Sequence, residues 1–322
     1  MVLVPVGGGH VFTQLAAGGA HTCGLTADGT AWCWGSNGSG QVGDNSATPR
    51  DAPVPVATGL KFASIDAGAA HTCALTAAGA AWCWGANGRG QLGDETTFDR
   101  LAPVPVAGGH AFEQIAAGGF SIGQTCGLAG STLYCWGDNE LGQLGIGTGG
   151  FGEPDLDPHP EPLPVSGGLT AEAVTTGLGR HTCALTESGV SWCWGENSFG
   201  ALGNGATTES PIPVPVSGGL EFAQLIAGGF IGHTCGWLAG GAGYCWGENF
   251  VGQVGDGSTT DRSEPSPVTG GHLFSVLDAG FRHTCGLATT GILHCWGSDG
   301  AGQLGINGND MQRVPRKVLG QP

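Results

Sequence analysis

The sequence predicts an all-β chain of six four-stranded units packed side by side, and three observations predict it. One phrase recurs six times, a His-Thr-Cys-like strand, a short turn and then Cys-Trp-Gly, with its second cysteine at Cys33, Cys83, Cys135, Cys193, Cys245 and Cys295. All twelve cysteines fall in these paired phrases. Helical periodicity is absent, and the period of roughly fifty residues suits a supersecondary unit that cannot bury its own faces, so that neighbours must stack to make a core.

The first unit serves as the template. Phe12-Thr13-Gln14-Leu15-Ala16-Ala17 alternates as a strand and stops at Gly18-Gly19, and His21-Thr22-Cys23-Gly24-Leu25 makes the second strand. Ala27-Asp28-Gly29 turns the chain into Ala31-Trp32-Cys33-Trp34. A Gly/Asn/Asp-rich loop from Gly35 to Thr48 leads to a short fourth strand at Val54-Pro55-Val56, where proline implies an edge position that needs no ladder donor. The corresponding units begin at Phe12, Phe62, Phe112, Ala171, Phe222 and Phe274. One domain over residues 1–322 is expected, with units at about 7–56, 57–106, 107–165, 166–216, 217–268 and 269–318.

Cysteine spacing fits directly opposed hairpin partners. Pairing Cys23 with Cys33 puts Thr26 opposite Thr30 and leaves a three-residue loop whose Gly29 can take the left-handed position. The third unit is one residue shorter, and Cys126 opposite Cys135 leaves the two-residue loop Gly130-Ser131, glycine first. Six hairpin disulfides are therefore expected: Cys23–Cys33, Cys73–Cys83, Cys126–Cys135, Cys183–Cys193, Cys235–Cys245 and Cys285–Cys295. Each closes a short loop, for which the chain-entropy model gives about 2.5 to 3 kcal/mol. Reduced core thiols are the alternative; zinc is disfavoured because the chain has no close Cys-x-x-Cys pair.

Lys and Arg number 10 against 26 Asp and Glu, a formal charge of −16, which disfavours nucleic acid and acidic membrane surfaces. No apolar run approaches the length of a membrane span. Gly 65 and Pro 18 make about a quarter of the chain but recur in phase with the tryptophans, as turn residues do. Even, regular cysteine pairs favour an oxidising compartment, extracellular or periplasmic, with no signal peptide in the present chain.

The stretch Ile65 to Asp94, with His71-Thr72-Cys73-Ala74-Leu75 and Cys83-Trp84-Gly85-Ala86-Asn87-Gly88-Arg89-Gly90-Gln91-Leu92-Gly93, resembles the regulator of chromosome condensation repeat in its cysteine-bearing bacterial form. The resemblance covers nearly the whole chain and implies a β-propeller with one unit per blade. The family usually closes with seven blades, whereas six cysteine-pair units are written here. Val4-Pro5-Val6 reads as the fourth strand of a preceding unit and Arg316-Lys317-Val318 as that of the last, so one outer strand is surplus if six units close. A six-bladed ring with an extra strand and a segment of a longer array are both compatible with this, and closure with seven blades is not excluded.

Histidine recurs at His21, His71, His181, His233 and His283, with Gln124 in the third unit. Glutamine in the series favours a repeated structural hydrogen bond over a metal ring, since sites one blade apart are too distant for a single ion. The tryptophans Trp34, Trp84, Trp136, Trp194, Trp246 and Trp296 recur in phase and are assigned to packing between blades. Eight arginines spread among the units argue against photoreception, a use of tryptophan and arginine known in the family.

Two catalytic spellings are discounted. Gly119-Phe120-Ser121-Ile122-Gly123 matches the hydrolase elbow but lies where other units have a strand-connecting loop, and Gly145 to Gly150 fits a dinucleotide fingerprint with no helix to follow. The insertion from about Ile146 to Pro162 carries Glu153, Asp155, Asp157, His159 and Glu161 and reads as a solvated acidic excursion rather than a calcium site.

Function is expected where copies disagree, because positions repeated for packing should be alike. The loop before each histidine and the loop after each Cys-Trp-Gly should share one face, giving Phe120, Ile122, Arg180, Phe199, Phe230, Phe250, Phe281 and Arg282 as candidate protein-binding residues. The expected function is that of a non-enzymatic, disulfide-stapled protein-binding module with neither cofactor nor metal. The alternative is a structural or adhesive repeat segment of a larger extracellular surface protein, and a serine hydrolase using Ser121 stands behind both.

Overall fold

A computed structural model of the chain describes residues 6–119, 123–229 and 232–321. It contains six four-stranded antiparallel sheets, each formed by four consecutive strands in simple meander order, arranged as a six-bladed β-propeller. Blade 1 consists of β1 (Phe12–Ala17), β2 (His21–Thr26), β3 (Ala31–Gly35) and β4 (Arg50–Pro55). Only one three-residue 3-10 turn, Ala107–Gly109, interrupts the β structure among the described residues.

The predicted hairpin register is present. Cys23 faces Cys33, and the chain reverses with Gly29 N–H on Thr26 O (2.8 Å) and Thr26 N–H on Thr30 O (3.1 Å). Gly29 has φ +77°, so the left-handed turn position is filled by the residue that adopts it without a steric penalty. In blade 3 the shorter loop is absorbed as foreseen: Ala129 faces Thr132 across Gly130 and Ser131, and Cys126 still faces Cys135. All six expected disulfides are formed, each with a Cα–Cα distance of 4.1 Å, and each staples the two middle strands of one blade.

Two expectations are corrected. The fourth strand of blade 1 runs from Arg50 to Pro55, beginning four residues before Val54, because the loop closes early around buried Asn37. Asn37 Nδ2 donates to the main-chain oxygens of Ser46 (2.9 Å) and Thr48 (3.0 Å), and its Oδ1 accepts from Val42 N–H (2.9 Å). The acidic excursion is likewise shorter than expected, since Asp155–Pro164 forms the outer strand of blade 3, with Asn139 opposite Asp155 and Cys135 opposite Leu163. Prolines at 158, 160, 162 and 164 are tolerated because that strand is an edge. The fourth strand of blade 6 is Gln312–Lys317, and residues 4 and 5 of the expected surplus strand lie outside the described residues.

The core lies between blades. Cys23, Leu25 and Cys33 of blade 1 pack with Phe62, Ile65 and Trp84 of blade 2, and the same grouping recurs along the molecule. A polar bracket joins each pair. The indole N–H groups of Trp84, Trp136, Trp194, Trp246 and Trp296 donate to main-chain carbonyls of the preceding blade at Gln41, Gln91, Gln143, Ala201 and Gln253 (2.9–3.0 Å). The same five carbonyls accept the hydroxyls of Thr72, Thr125, Thr182, Thr234 and Thr284.

This second bond fixes the histidines. A threonine hydroxyl has one proton, already given to the carbonyl, so the ring Nε2 near it must donate: His21 to Thr72 (2.8 Å), His71 to Thr125 (2.9 Å), His181 to Thr234 (2.9 Å) and His233 to Thr284 (3.0 Å). The expected structural role of the histidines is therefore met in these four. Gln124 departs from it, because its buried amide has no hydrogen-bond partner among the described residues, although Thr182 still donates to Gln143 O. Burial lowers His21 and His181 to about 4 and His71 and His233 to about 3, the last two helped by neighbouring histidines.

Candidate protein-binding face

The residue after each Cys-Trp-Gly and the residue before each histidine position meet on one face. The amides of Ser36, Ala86, Asp138, Glu196, Glu248 and Ser298 donate to the carbonyls of Ala20, Ala70, Gly123, Arg180, Gly232 and Arg282 (2.8–2.9 Å). The two variable loops of every blade are thus tied together, as their sequence placement predicts.

Blades 3, 4 and 5 differ from the others here. Where blades 1, 2 and 6 carry Ser36, Ala86 and Ser298, these blades carry Asp138, Glu196 and Glu248, and arginines from adjoining loops reach into them. Arg89 Nε lies 3.4 Å from Asp138 Oδ1, Arg180 Nη1 lies 3.0 Å from Glu140 Oε2, and Arg282 Nη2 lies 3.5 Å from Glu248 Oε1. Asp138 also accepts from Gln143 Nε2 at 2.5 Å. An alternating belt of acid and base therefore crosses the loop ends from blade 2 to blade 6.

Desolvation dominates this belt. Burial pushes Glu196 up to about 7, opposed by Arg180 and Ser198 and reinforced by Glu248 and Glu209. Burial also raises Asp138 against Arg180 and Arg89, and raises Glu248 against Arg282. Glu248 is fully buried, so removing Arg282 would leave its carboxylate without its cation. These acids were not singled out from sequence, although aligning the units on Cys-Trp-Gly-x-Asn exposes the one column where acid replaces serine or alanine.

Beside the belt, Phe199 of blade 4 and Phe250 of blade 5 meet edge to face, with ring centroids 5.1 Å apart and planes at 83°. Phe250 is 49% exposed, so the pair presents an aromatic edge to solvent rather than plugging its own blade. Of the candidate residues, Arg180, Phe199, Phe250 and Arg282 lie along this stretch, and partly exposed Phe281 lines the central cavity. Phe120, Ile122 and Phe230 lie outside the described residues, as does Ser121. Gly145 to Gly150 leads into an outer strand and not into a helix.

The innermost strands of all six blades line a central cavity of about 840 Å³. Asp66 on its wall is raised to about 6 by burial, against hydrogen bonds from Ala117 N–H (2.8 Å) and Ala67 N–H (2.9 Å) and with Asp278 adding repulsion. In the insertion, Asp155 accepts from Asn139 (2.8 Å) and Thr148 (2.6 Å) and pairs with His159 (3.0 Å), while Glu153, Asp157 and Glu161 are exposed. Among the described residues no three His, Cys, Asp or Glu side chains converge as metal ligands.

Known proteins share this frame. Human WBSCR16 superposes with a TM-score of 0.82 at 20% identity, covering 98% of this chain and 83% of that one. Yeast RCC1 (Prp20), solved bound to Kap60, gives 0.81 at 21% identity, covering 96% of this chain and 75% of that one. By sequence, the ultraviolet-B receptor UVR8 of Arabidopsis thaliana is 33% identical over 146 residues, 44% of this chain and 31% of its own length. The E3 ubiquitin-protein ligase HERC2 of Homo sapiens is 31% identical over 140 residues, 43% of this chain and 3% of its own length. The matched stretch thus spans well under half of either relative. The model of the RCC1-like domain matches residues 2–321, and on that match the chain belongs to the RCC1-like domain family.

Proposed function

We propose that this protein is a non-enzymatic propeller that binds another protein through the loop face of blades 4 to 6, in an oxidising compartment outside the cytosol. The observation that carries the reading is the contrast within the molecule. The residues that bracket blade to blade repeat along the chain, whereas the loop ends differ from blade to blade, with Arg180, Phe199, Phe250, Phe281 and Arg282 in blades 4 to 6 following Arg89 of blade 2. Arginine and exposed aromatic residues are the side chains that most often dominate interface energetics. The yeast relative supports the same class of activity, since that protein is solved bound to Kap60 and binds Gsp1p and histones. Six disulfides support the compartment. The charge of −16 speaks against nucleic acid as the partner, and no helix among the described residues is long and apolar enough to cross a membrane.

The test is affinity capture from the extracellular fraction with the oxidised protein, followed by affinity measurement for the captured partner. Arg180→Ala, Phe199→Ala, Phe250→Ala and Arg282→Ala are compared with the distant control Ile212→Ala. At least two of the four face variants should weaken binding tenfold or more, with the control unchanged. A partner held equally by all five variants would sink the assignment of this face. The alternative role is that of a structural or adhesive repeat segment of a larger extracellular surface protein. The hydrolase reading predicts ester or peptide cleavage that Ser121→Ala abolishes.

A further inference from the structure

The first strand of every blade is entered by a tight turn at the end of the propeller opposite the loop face. A four-strand meander places its first and third connections at one end, and its second, with the blade-to-blade link, at the other. In blades 1, 3 and 6 the turn reads Gly-Gly-His, at Gly8-Gly9-His10, Gly108-Gly109-His110 and Gly270-Gly271-His272. The imidazole lies over the ring of the blade's third strand: His10 over Trp32 with centroids 3.8 Å apart, His110 over Tyr134 at 4.2 Å and His272 over His294 at 4.1 Å, the planes tilted by 33–37°. The same imidazole fills the space beside the first glycine, since a Cβ on Gly8, Gly108 or Gly270 would stand 2.7–2.9 Å from it.

Blades 2, 4 and 5 carry Leu60, Leu169 and Leu220 instead, and each leucine packs against the core between blades. Two of these blades occupy the vacated space by other means. In blade 2 the first glycine is Thr58, whose hydroxyl accepts from Leu60 N–H (3.2 Å). In blade 5 Phe222 meets Tyr244 edge to face at 6.1 Å, and Leu220 comes within 4.0 Å of a Cβ on Gly218. Blade 4 has neither device. Its first strand begins with Ala171 where the other five have phenylalanine, a Cβ on Gly167 would meet nothing within 4 Å, and among the described residues Trp192 has no ring partner.

What remains in blade 4 is a pocket of about 910 Å³ between the entry turn and the hairpin tip. Gly167, Leu169, Val190 and Trp192 line it, with exposed Glu187 and Ser188 beside them. Val190 stands where blades 1 and 2 have Thr30 and Ala80, so the wall is more apolar here.

We propose that this pocket binds a small planar nitrogen heteroaromatic molecule of one or two fused rings, seated on Trp192 where three other blades place an imidazole of their own. The indole face takes a tilted or offset ring in preference to a saturated one, because the π quadrupoles favour that arrangement. Leu169 and Val190 remove the ring's edges from water, and Glu187 and Ser188 offer oxygen acceptors to a ring N–H. A largely apolar pocket of this volume with a few polar groups is of the kind that encloses small molecules. The site lies at the opposite end of the propeller from the loop face, so the inference is independent of the proposed protein-binding function.

The experiment titrates the oxidised chain, with its indole nitrogens labelled for NMR, with benzimidazole, with cyclohexanol and with the peptide Gly-Gly-His. Benzimidazole should shift one indole N–H saturably, the signal that disappears in Trp192→Tyr. Ligand-observed affinities should fall about tenfold or more in Trp192→Leu and stay near the parent in Trp192→Tyr, which restores the residue type of blades 3 and 5. Leu169→His writes the turn of blades 1, 3 and 6 into blade 4, and its own ring should exclude benzimidazole to a similar degree with the melting temperature kept. Absence of a saturable shift at Trp192 would overturn the inference, and that result needs no variant to fold. Equal binding of cyclohexanol, or benzimidazole affinity unchanged by Leu169→His, would also overturn it. Binding of Gly-Gly-His in preference to benzimidazole would overturn the small-molecule assignment and give the site to a histidine side chain of a peptide.

Discussion

Acid should weaken this protein through its buried histidines, well above the pH at which most carboxylates titrate. His21 and His181 fall to about 4 and His71 and His233 to about 3, against 6.5 for a free side chain, with burial the main cause in each. Between those values the unfolded chain binds more protons than the folded one, so the stability the four contribute is complete above pH 6.5 and is lost as pH falls toward 4. Moving from pH 7 to pH 5 removes about 2 kcal/mol for each histidine. Two carboxyls oppose this: Asp66, raised to about 6, and Glu196, raised to about 7, hold protons in the fold that the unfolded chain releases. Their opposition is about 1 and about 2 kcal/mol, which leaves a net loss of about 5 kcal/mol. His283 and His294 are also lowered by burial and add to the loss, while Asp138, Glu248 and Asp261 are raised by burial and add to the opposition. The assay is urea unfolding at both pH values with the disulfides intact, comparing the parent with the fourfold variant His21→Gln, His71→Gln, His181→Gln and His233→Gln. Gln124 shows that glutamine can occupy this buried site. The variant should be less stable at pH 7 yet lose little on acidification. A variant as acid-sensitive as the parent would refute the reasoning, and His71→Gln alone, which should recover about 2 kcal/mol of the loss, serves if the fourfold chain does not fold.

Three further outcomes are expected. Gly93→Ala should destabilise by more than about 1 kcal/mol in thermal melts, because φ is +70° and the new Cβ would stand 2.7 Å from Trp136 Nε1, whereas Gly305→Ala meets no indole and should cost less. Ile65→Ala should cost about 2 to 5 kcal/mol by denaturant titration and Leu15→Ala under about 1, the same kind of position in one case buried and in the other exposed. Intact mass should rise by twelve hydrogens on full reduction, with non-reducing peptide maps linking Cys23 to Cys33 and so on to Cys285 and Cys295.

The parts of the fold legible in the sequence were those fixed by local register. A cysteine pair opposed across a known turn length leaves little freedom, which is why the hairpins and all six disulfides could be placed from spacing, including the shortened turn at Gly130. The fourth strands were harder, since their start depends on where the loop folds back around Asn37 or Asn139, and that is set by side-chain bonds to main-chain oxygens nine or eleven residues away. At the loop face, Arg180, Phe199, Phe250 and Arg282 were visible as departures from the repeat. Asp138 and Glu248 escaped notice because a carboxylate in a variable loop reads as solvated until the arginines of neighbouring blades are seen to reach it, and Glu196 because its burial beside Arg180 shows only in the folded chain. How blades 6 and 1 meet was left open by the sequence, because it depends on the angle between blades, which no single unit encodes.

Every covalent cross-link in this molecule lies inside a blade and none spans two of them. Blade-to-blade cohesion therefore rests wholly on noncovalent contacts, the buried core between blades together with the bracket of tryptophan, threonine and histidine, and Leu15 of blade 1 and Leu287 of blade 6 lie exposed on the two outer flanks where their counterparts are buried. Pulled or heated, such a molecule comes apart from those two flanks inward, one blade at a time, while each detached blade keeps its stapled hairpin and the register needed to dock again. Oxidation thus preserves the parts rather than the assembly, and a reducing agent should change how readily blades re-form far more than how strongly they hold one another.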